Sequence, residues 1–392
     1  MENIEEKACL CALNKIFGFS PGIAISLLAH IGSAKGIFSL SSEELMLMLG
    51  RNSRFRGRFT GRIIDDAKEE LFRCGKDGIT FIGWTEKDYP ELLRECPDAP
   101  VGLYVRSTTP PDKLWPTKRR IAVVGTRDIS PYGKEWCMNI INAISSCKES
   151  PAIISGLALG TDFIAHKTAL EAGLPTIAVM ATGPDSVYPY RHRSFAEKLC
   201  STPGCALITD YPPGTAPLAV HFLRRNRIIA GLSDSTLLIE SKIKGGGMMT
   251  CRLAFSYDRD VFALPGRIDD IRSQGCNYLI KNKIAEPISD IEELIRNLSL
   301  NKSGNGQFND LIEVISSAFS DVISGEKFSL LLEIVRLIKR ERGITLDEIA
   351  AYTGSDYKTT AEITGLLETE GFISVDLLQR CSINTMKFRK FV

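Results

Sequence analysis

Between His221 and Thr250 the chain reads HFLRRNRIIAGLSDSTLLIESKIKGGGMMT, and this stretch holds the residues best suited to gripping a polyanion. Phe222, Arg224, Arg225 and Arg227 stand together, so guanidinium groups that neutralise phosphates lie beside a ring that can stack on a base. An aliphatic run from Thr236 to Glu240 reads as a strand buried on both faces, followed by Lys244, the loop Gly245 to Gly247 and a helix from Met248 to Tyr257. Strand, glycine loop and helix in that order aim backbone N–H groups at an anion. From Pro212 to Phe255 the basic residues are Arg224, Arg225, Arg227, Lys242, Lys244 and Arg252, opposed only by Asp234 and Glu240. The formal net charge of the whole chain is +1, so a nucleic acid would have to be held by clustered charge.

Two further loops are placed to join this site. Gly125-Thr126-Arg127 follows the buried run Ile121 to Val124, and Ser155 to Asp162 leads from a second strand into a helix. Gly156 and Gly160 let backbone amides approach a phosphate, while Thr161 or Asp162 is placed to cap the helix. Arg191 and Arg193 flank His192 and suggest a basic rim. Neither G-x-G-x-x-G nor a Walker sequence occurs, and no G-x-S-x-G or histidine triad order supports a nucleophile. His166, inside a helical pattern, reads as a packed histidine. Eleven cysteines without a C-x-x-C pair read as reduced, buried thiols, so neither a metal nor another cofactor is expected. The candidate binding set is Gly125, Thr126, Arg127, Ser155, Gly156, Gly160, Arg191, Arg193, Phe222, Arg224, Arg225, Asn226, Arg227, Lys244, Gly246 and Thr250, with no catalytic residue.

The elements that must position these residues can be read along the 392 residues. Residues 1–75 form a small helical domain: Ile4 to Ile16 and Ile23 to Ile31 are apolar at helical spacing about a glycine turn, a helix-hairpin-helix or SAM-like unit or the start of a small bundle. Within it RNSRFRGRFTGR sets Arg51, Arg54, Arg56, Arg58 and Arg62 among aromatics, either a grip on nucleic acid or a solvated face. Residues 76–117 read as a linker with hairpin-like strands, closing near residue 117 among prolines. From 118 to 297, strands at Ile121 to Gly125, Ala152 to Ile154, Thr176 to Met180, Ala206 to Thr209, Thr236 to Glu240 and Val261 to Leu264 alternate with helices such as Gly133 to Ser145 and Asp162 to Ala172. That alternation predicts an α/β, Rossmann-like parallel sheet with ligands at the carboxyl ends of its strands. After a polar linker at 298–325, residues 326–392 show the outline of a winged helix, whose third helix sets Lys358 against Glu362, Glu368 and Glu370 and so favours protein docking over DNA.

VGTR, SGLALGTDFIAHKTALEAGLPTIAVMATGPDSVYP, RNRIIAGLS and FALPG with Gly275-Cys276-Asn277 together resemble the DNA-processing protein A (DprA, or Smf) family over roughly residues 118 to 290. The resemblance implies a non-enzymatic single-stranded DNA binder that shields incoming strands and helps load the RecA recombinase in natural transformation, as a homodimer through the Rossmann-like core. The sequence itself, with no apolar run of membrane length and three glutamates in MENIEEKACL, makes a cytoplasmic location the expectation. It also implies that Arg127, Arg193 and the RNR motif Arg225, Asn226 and Arg227 contact DNA, with Phe222 just ahead. Departures from the family pattern are Thr161 before Asp162, Gly245-Gly246 before the last motif helix, and the additional Arg224. The rival from another class is a nucleotide-cleaving phosphoribohydrolase of the lysine-decarboxylase-like type. Its P-G-G-x-G-T-x-x-E motif would fall on Gly245 to Arg252, where no acid follows until Asp258.

Overall fold

The computed structural model describes residues 2–115, 119–300, 315, 318, 319, 323, 325–341, 343–376 and 379–383. The boundary expected near residue 117 and most of the expected 298–325 linker lie outside the described residues. The chain divides into two compact units, Met1–Gly304 and Asn305–Val392.

The first unit opens with helices α1 (Glu2–Phe17), α2 (Pro21–Ile31), α3 (Ala34–Phe38), α4 (Ser42–Leu49) and α5 (Gly61–Lys76). Pro21 occupies the first turn of α2, where its missing N–H costs nothing, and Gly32 closes the helix with φ 86°. Arg58 donates to the carbonyls of Ile16 and Lys15 at 2.9 and 3.2 Å, satisfying the open end of α1. Next come β1 (Ile79–Gly83), α6 (Glu91–Arg94) and β2 (Gly102–Arg106). The segment expected to be a linker is therefore part of the sheet: β1 pairs antiparallel with β2. Phe81 and Tyr104 pack with ring centroids 5.0 Å apart, and the Tyr104 hydroxyl donates to Glu70 Oε1 of α5 at 2.6 Å. The helices are thus fused to the sheet in one unit rather than standing as a separate domain.

The remainder alternates β3 (Arg120–Val124), α7 (Pro131–Ser145), β4 (Ala152–Ser155), α8 (Thr161–Glu171), β5 (Thr176–Val179), α9 (Arg193–Ser201), β6 (Ala206–Thr209), α10 (Ala219–Gly231), β7 (Ser235–Leu238), α11 (Gly246–Ser256), β8 (Asp260–Ala263), α12 (Gln274–Lys281), β9 (Glu286–Pro287) and α13 (Ile291–Asn297). The strands form a sheet ordered β1-β2-β6-β5-β4-β3-β7-β8-β9. The pairings from β6 to β9 are parallel, and β2 pairs antiparallel with β6 through Val105 opposite Ile208. Period-two alternation sorts the buried residues of β3: Ile121 and Val123 join the α7 and α8 core, while Ala122 and Val124 join that of α10 and α11. Strand order reverses between β3 and β7, and in open α/β sheets that switch point opens the crevice where ligands bind.

Gly231 is the last residue of α10, and the helix is closed by a right-handed Leu232 with φ −78°. A Cβ on Gly231 would meet Leu93 Cδ1 at 2.7 Å and Cys96 Sγ at 2.8 Å, so the glycine admits α6 and the loop after it.

In the second unit, α14 (Glu326–Arg340), β10 (Ile344–Thr345), α15 (Leu346–Thr353), α16 (Tyr357–Thr369), β11 (Ile373–Val375) and β12 (Arg380–Ile383) follow in order, with the strands paired β10-β12-β11. Thr345 and Glu348 form a reciprocal capping box at the start of α15. Among the described residues no helix is long and apolar enough to cross a membrane.

Candidate nucleic-acid interface

At the switch point, β3 delivers Gly125, Thr126 and Arg127 while the β7–α11 loop delivers Lys244 and Gly246. Arg127, Lys244 and Gly246 are exposed, and Gly125 and Thr126 are half-buried. The two glycine loops brace one another: the Thr126 carbonyl accepts both the N–H and the hydroxyl of Thr161 at 3.1 Å. Gly160 precedes α8 with φ 73°, where a Cβ would meet the Thr126 and Arg127 carbonyl oxygens at 2.4 and 2.6 Å. Neither Thr161 nor Asp162 caps α8, contrary to expectation, because Thr161 is turned to the β3 loop and the Asp162 carboxylate accepts the Ala158 N–H at 3.3 Å.

Arg127 lies with its guanidinium carbon 5.2 Å from the centroid of Phe222. Phe222, half-buried on α10, meets Tyr188 edge to face at 5.4 Å, and Tyr188 is 47% exposed. Tyr190, 74% exposed, lies 5.9 Å beneath Arg193. Arg191 and Arg193 are both exposed, so the basic rim forms. Beside it, Arg127, Leu159, Gly160, Phe163, Arg191 and His192 line a cleft of about 410 Å³, in which Phe163 stacks on His192 at 4.5 Å. Cations and accessible rings therefore alternate along one edge of the molecule. Tyr188, Tyr190 and Phe163 were missing from the expected set, although the alternation YPYRHR carried a signal for the two tyrosines.

The arginine cluster of α10 divides differently from expectation. Arg225 is 5% exposed and donates to the Val179 carbonyl at 2.7 Å; it crowds Gly156, where a Cβ would meet its Nη1 at 1.8 Å and Asp162 Oδ2 at 2.2 Å. Burial lowers its proton affinity below that of a free guanidinium. Arg227, also 5% exposed, forms an ion pair with Asp210 and donates to the Asp98 carbonyl. Arg224 donates to the carbonyls of Gly18 and Phe19 and lies 4.2 Å over the Phe19 ring. Asn226 is buried and reaches the Gly246 carbonyl at 3.4 Å. The RNR residues thus hold α10 to its surroundings, with Arg225 and Arg227 engaged inside the protein rather than facing outward as expected. Ser155 is likewise buried, its hydroxyl donating to the Val123 carbonyl at 2.6 Å, and Thr250 is 1% exposed. Gly156 is filled against from within by Arg225 and Asp162.

The acid next to this loop is also engaged. Glu240, 1% exposed, accepts the backbone N–H of Ser130 at 2.8 Å on Oε2 and the Ser130 hydroxyl on Oε1, at the start of α7. Both oxygens of this buried carboxylate are thereby turned to the start of α7 and away from solvent.

His166 is fully buried between the Thr176 hydroxyl and the Gly156 carbonyl, both at 2.6 Å. A carbonyl only accepts, so the neutral ring carries its proton on Nε2 and donates it to Gly156, while the Thr176 hydroxyl also donates to the Ile153 carbonyl at 2.9 Å. Burial pulls its pKa down to about 4. Because the folded value lies below the unfolded one near 6.5, its contribution is complete above pH 6.5 and is lost as pH falls toward 4, by about 3 kcal/mol in all. The His166 imidazole resonances are expected to stay flat from about pH 8 to pH 5.5; a midpoint near 6.5 would contradict this placement.

Residues 80–299 match the family model for DNA recombination-mediator protein A. The chain is 37% identical over 210 residues to Protein Smf of Escherichia coli, covering 54% of each chain, and so spans about half the length of that relative. The X-ray structure of DNA processing protein A from Streptococcus pneumoniae superposes with TM-score 0.62 at 30% identity, over 72% of this chain and 95% of that one. A structure of DNA processing protein A from Helicobacter pylori, described as giving insight into its single-stranded DNA binding mode, superposes with TM-score 0.50 at 28% identity, over 56% of this chain and 95% of that one.

Proposed function

The chain belongs to the DNA recombination-mediator protein A family, and from that membership we propose that it binds single-stranded DNA along the edge formed by Arg127, Phe222, Tyr188, Tyr190, Arg191 and Arg193. The observation that carries the reading is the guanidinium of Arg127 over the half-buried ring of Phe222 at the sheet's switch point, with Tyr188 against the same ring. One group meets a phosphate, and the rings accept bases whose identity does not matter, since every base has a π face. Single strands are favoured over duplex because a paired base keeps its face inside the stack. The single-strand binding described for the Helicobacter pylori neighbour supports the same ligand class.

In this reading the protein shields incoming single strands in the cytoplasm during natural transformation or DNA processing and passes them to a RecA-type recombinase. The family's designation as a recombination mediator supports that partner. Pairing of two copies through the α/β core, and a winged-helix role for the second unit in docking protein, belong to the same proposal. The engaged state of Glu240 weighs against the hydrolase reading.

Electrophoretic shift with single-stranded and duplex DNA of equal length, beside an assay for free base released from nucleoside monophosphates, tests the reading. The expected outcome is retention of the single strand at concentrations that leave duplex unbound, with no base released. Equal retention of duplex, or turnover of the monophosphate, would overturn it.

A further inference from the structure

The N-terminal helices carry a second cationic and aromatic surface that the core interface does not use. Of the arginines in RNSRFRGRFTGR, Arg58 is occupied at the end of α1, and Arg56 donates to the Arg51 carbonyl at 2.7 Å. Arg51, Arg54 and Arg62 are exposed. The ion pairs described around them go elsewhere: Lys15 to Glu70, Lys68 to Asp65 and Arg73 to Glu69. Arg54 lies 4.9 Å over the ring of Phe55, and both border an open cleft of about 540 Å³ whose lining, which includes Ile23, Met48 and Leu49, contains no acidic residue.

A short path connects this cleft to the core interface. Phe222 and Arg224 lie on α10, and Arg224 covers one face of Phe19, which is 55% exposed and also 6.0 Å from the ring of His221. The turn that carries Phe19 leads directly into α2, and Ile23 of the cleft stands on the first turns of that helix. Arginine over ring thus recurs three times, as Arg127 on Phe222, Arg224 on Phe19 and Arg54 on Phe55, although Phe55 is only 9% exposed and packs on Phe17, so at the cleft the arginine rather than the ring faces outward.

Resting on the single-strand reading above, we propose that a bound strand continues from Phe222 over Phe19 onto this cleft, where Arg51, Arg54 and Arg62 neutralise its outgoing phosphates. An acidic protein segment would meet the charge, but it would leave the exposed ring of Phe19, which lies between Phe222 and the cleft, without a purpose. A polynucleotide uses both, by stacking and by counterion release.

The test is a salt titration of the full chain with labelled oligothymidylates of about 6 and about 25 nucleotides, lengths below and above the reach of one site. The longer oligomer is expected to bind with a log–log slope steeper by about 2, the value for three additional phosphate contacts on a single strand. Arg51→Ala, Arg54→Ala and Arg62→Ala combined should remove that excess and leave the short oligomer unaffected, while lysine at all three positions should restore it. A triple alanine variant that melts like the wild type and keeps the long oligomer's full slope would overturn the extension, and an acidic peptide captured there instead would do the same. Failure of the short oligomer to bind the wild-type chain would overturn the core reading itself.

Discussion

Arg227→Ala is expected to lower folding stability by about 3–5 kcal/mol, the cost of leaving a buried charge without its partner. Arg227 and Asp210 are 5% and 6% exposed and pair at the end of β6, while the same guanidinium holds the Asp98 carbonyl. Asp98 in turn accepts the Tyr257 hydroxyl at 2.6 Å, so α10, α11 and the loop after α6 share one polar knot. Pairing the change with Asp210→Asn should recover part of the loss, because no lone carboxylate then stays buried. Below its melting temperature, Arg227→Ala should bind single strands with the wild-type salt slope. A variant that melts normally and yet loses binding would return Arg227 to the interface.

Phe222→Ala combined with Tyr188→Ala is expected to produce the largest loss of single-strand affinity, about 2–6 kcal/mol if each ring stacks one base at about 1–3 kcal/mol. The salt dependence should not change, since neither ring carries charge. Phe222 is half-buried and Tyr188 47% exposed, so the melting temperature should fall far less than for a core phenylalanine, whose loss costs roughly 3–5 kcal/mol. Calorimetry beside an anisotropy titration separates the cases. Wild-type affinity in the double variant would remove the stacking platform, and a collapsed melting temperature would return Phe222 to the core.

Sheet strands and glycine loops were legible because their signals are local. Ala206–Thr209 coincides with β6, and the run expected at Thr236 to Glu240 lies within two residues of β7. Each is a continuous aliphatic stretch between turn residues, and a parallel strand buried on both faces reads that way whatever its neighbours. The place of β1 and β2 was not legible, since the pairing of Val105 with Ile208 spans about a hundred residues and leaves no local mark. The same holds for the arginines. A guanidinium reads alike in sequence whether it faces water, as in Arg127, or a carbonyl 46 residues away, as in Arg225 with Val179. Only tertiary packing divides the α10 cluster into residues that hold the helix and residues that face outward. Tyr188 and Tyr190 fail for a different reason: the alternation was visible, and only their exposure gives it weight.

The central claim is that exposed cations at the sheet's switch point, led by Arg127, neutralise the phosphates of a single strand. Fluorescence anisotropy of a short labelled oligothymidylate, titrated at several salt concentrations with wild type and Arg127→Ala, tests it most directly. With Arg127, Arg191, Arg193 and Lys244 each meeting one phosphate, the wild-type slope of log affinity against log salt is expected near −2.8, about −0.7 for each contact. Arg127→Ala should weaken binding and reduce the magnitude of that slope by about 0.7. A wild-type slope near zero, or an Arg127→Ala titration superimposable on the wild type, would contradict the account.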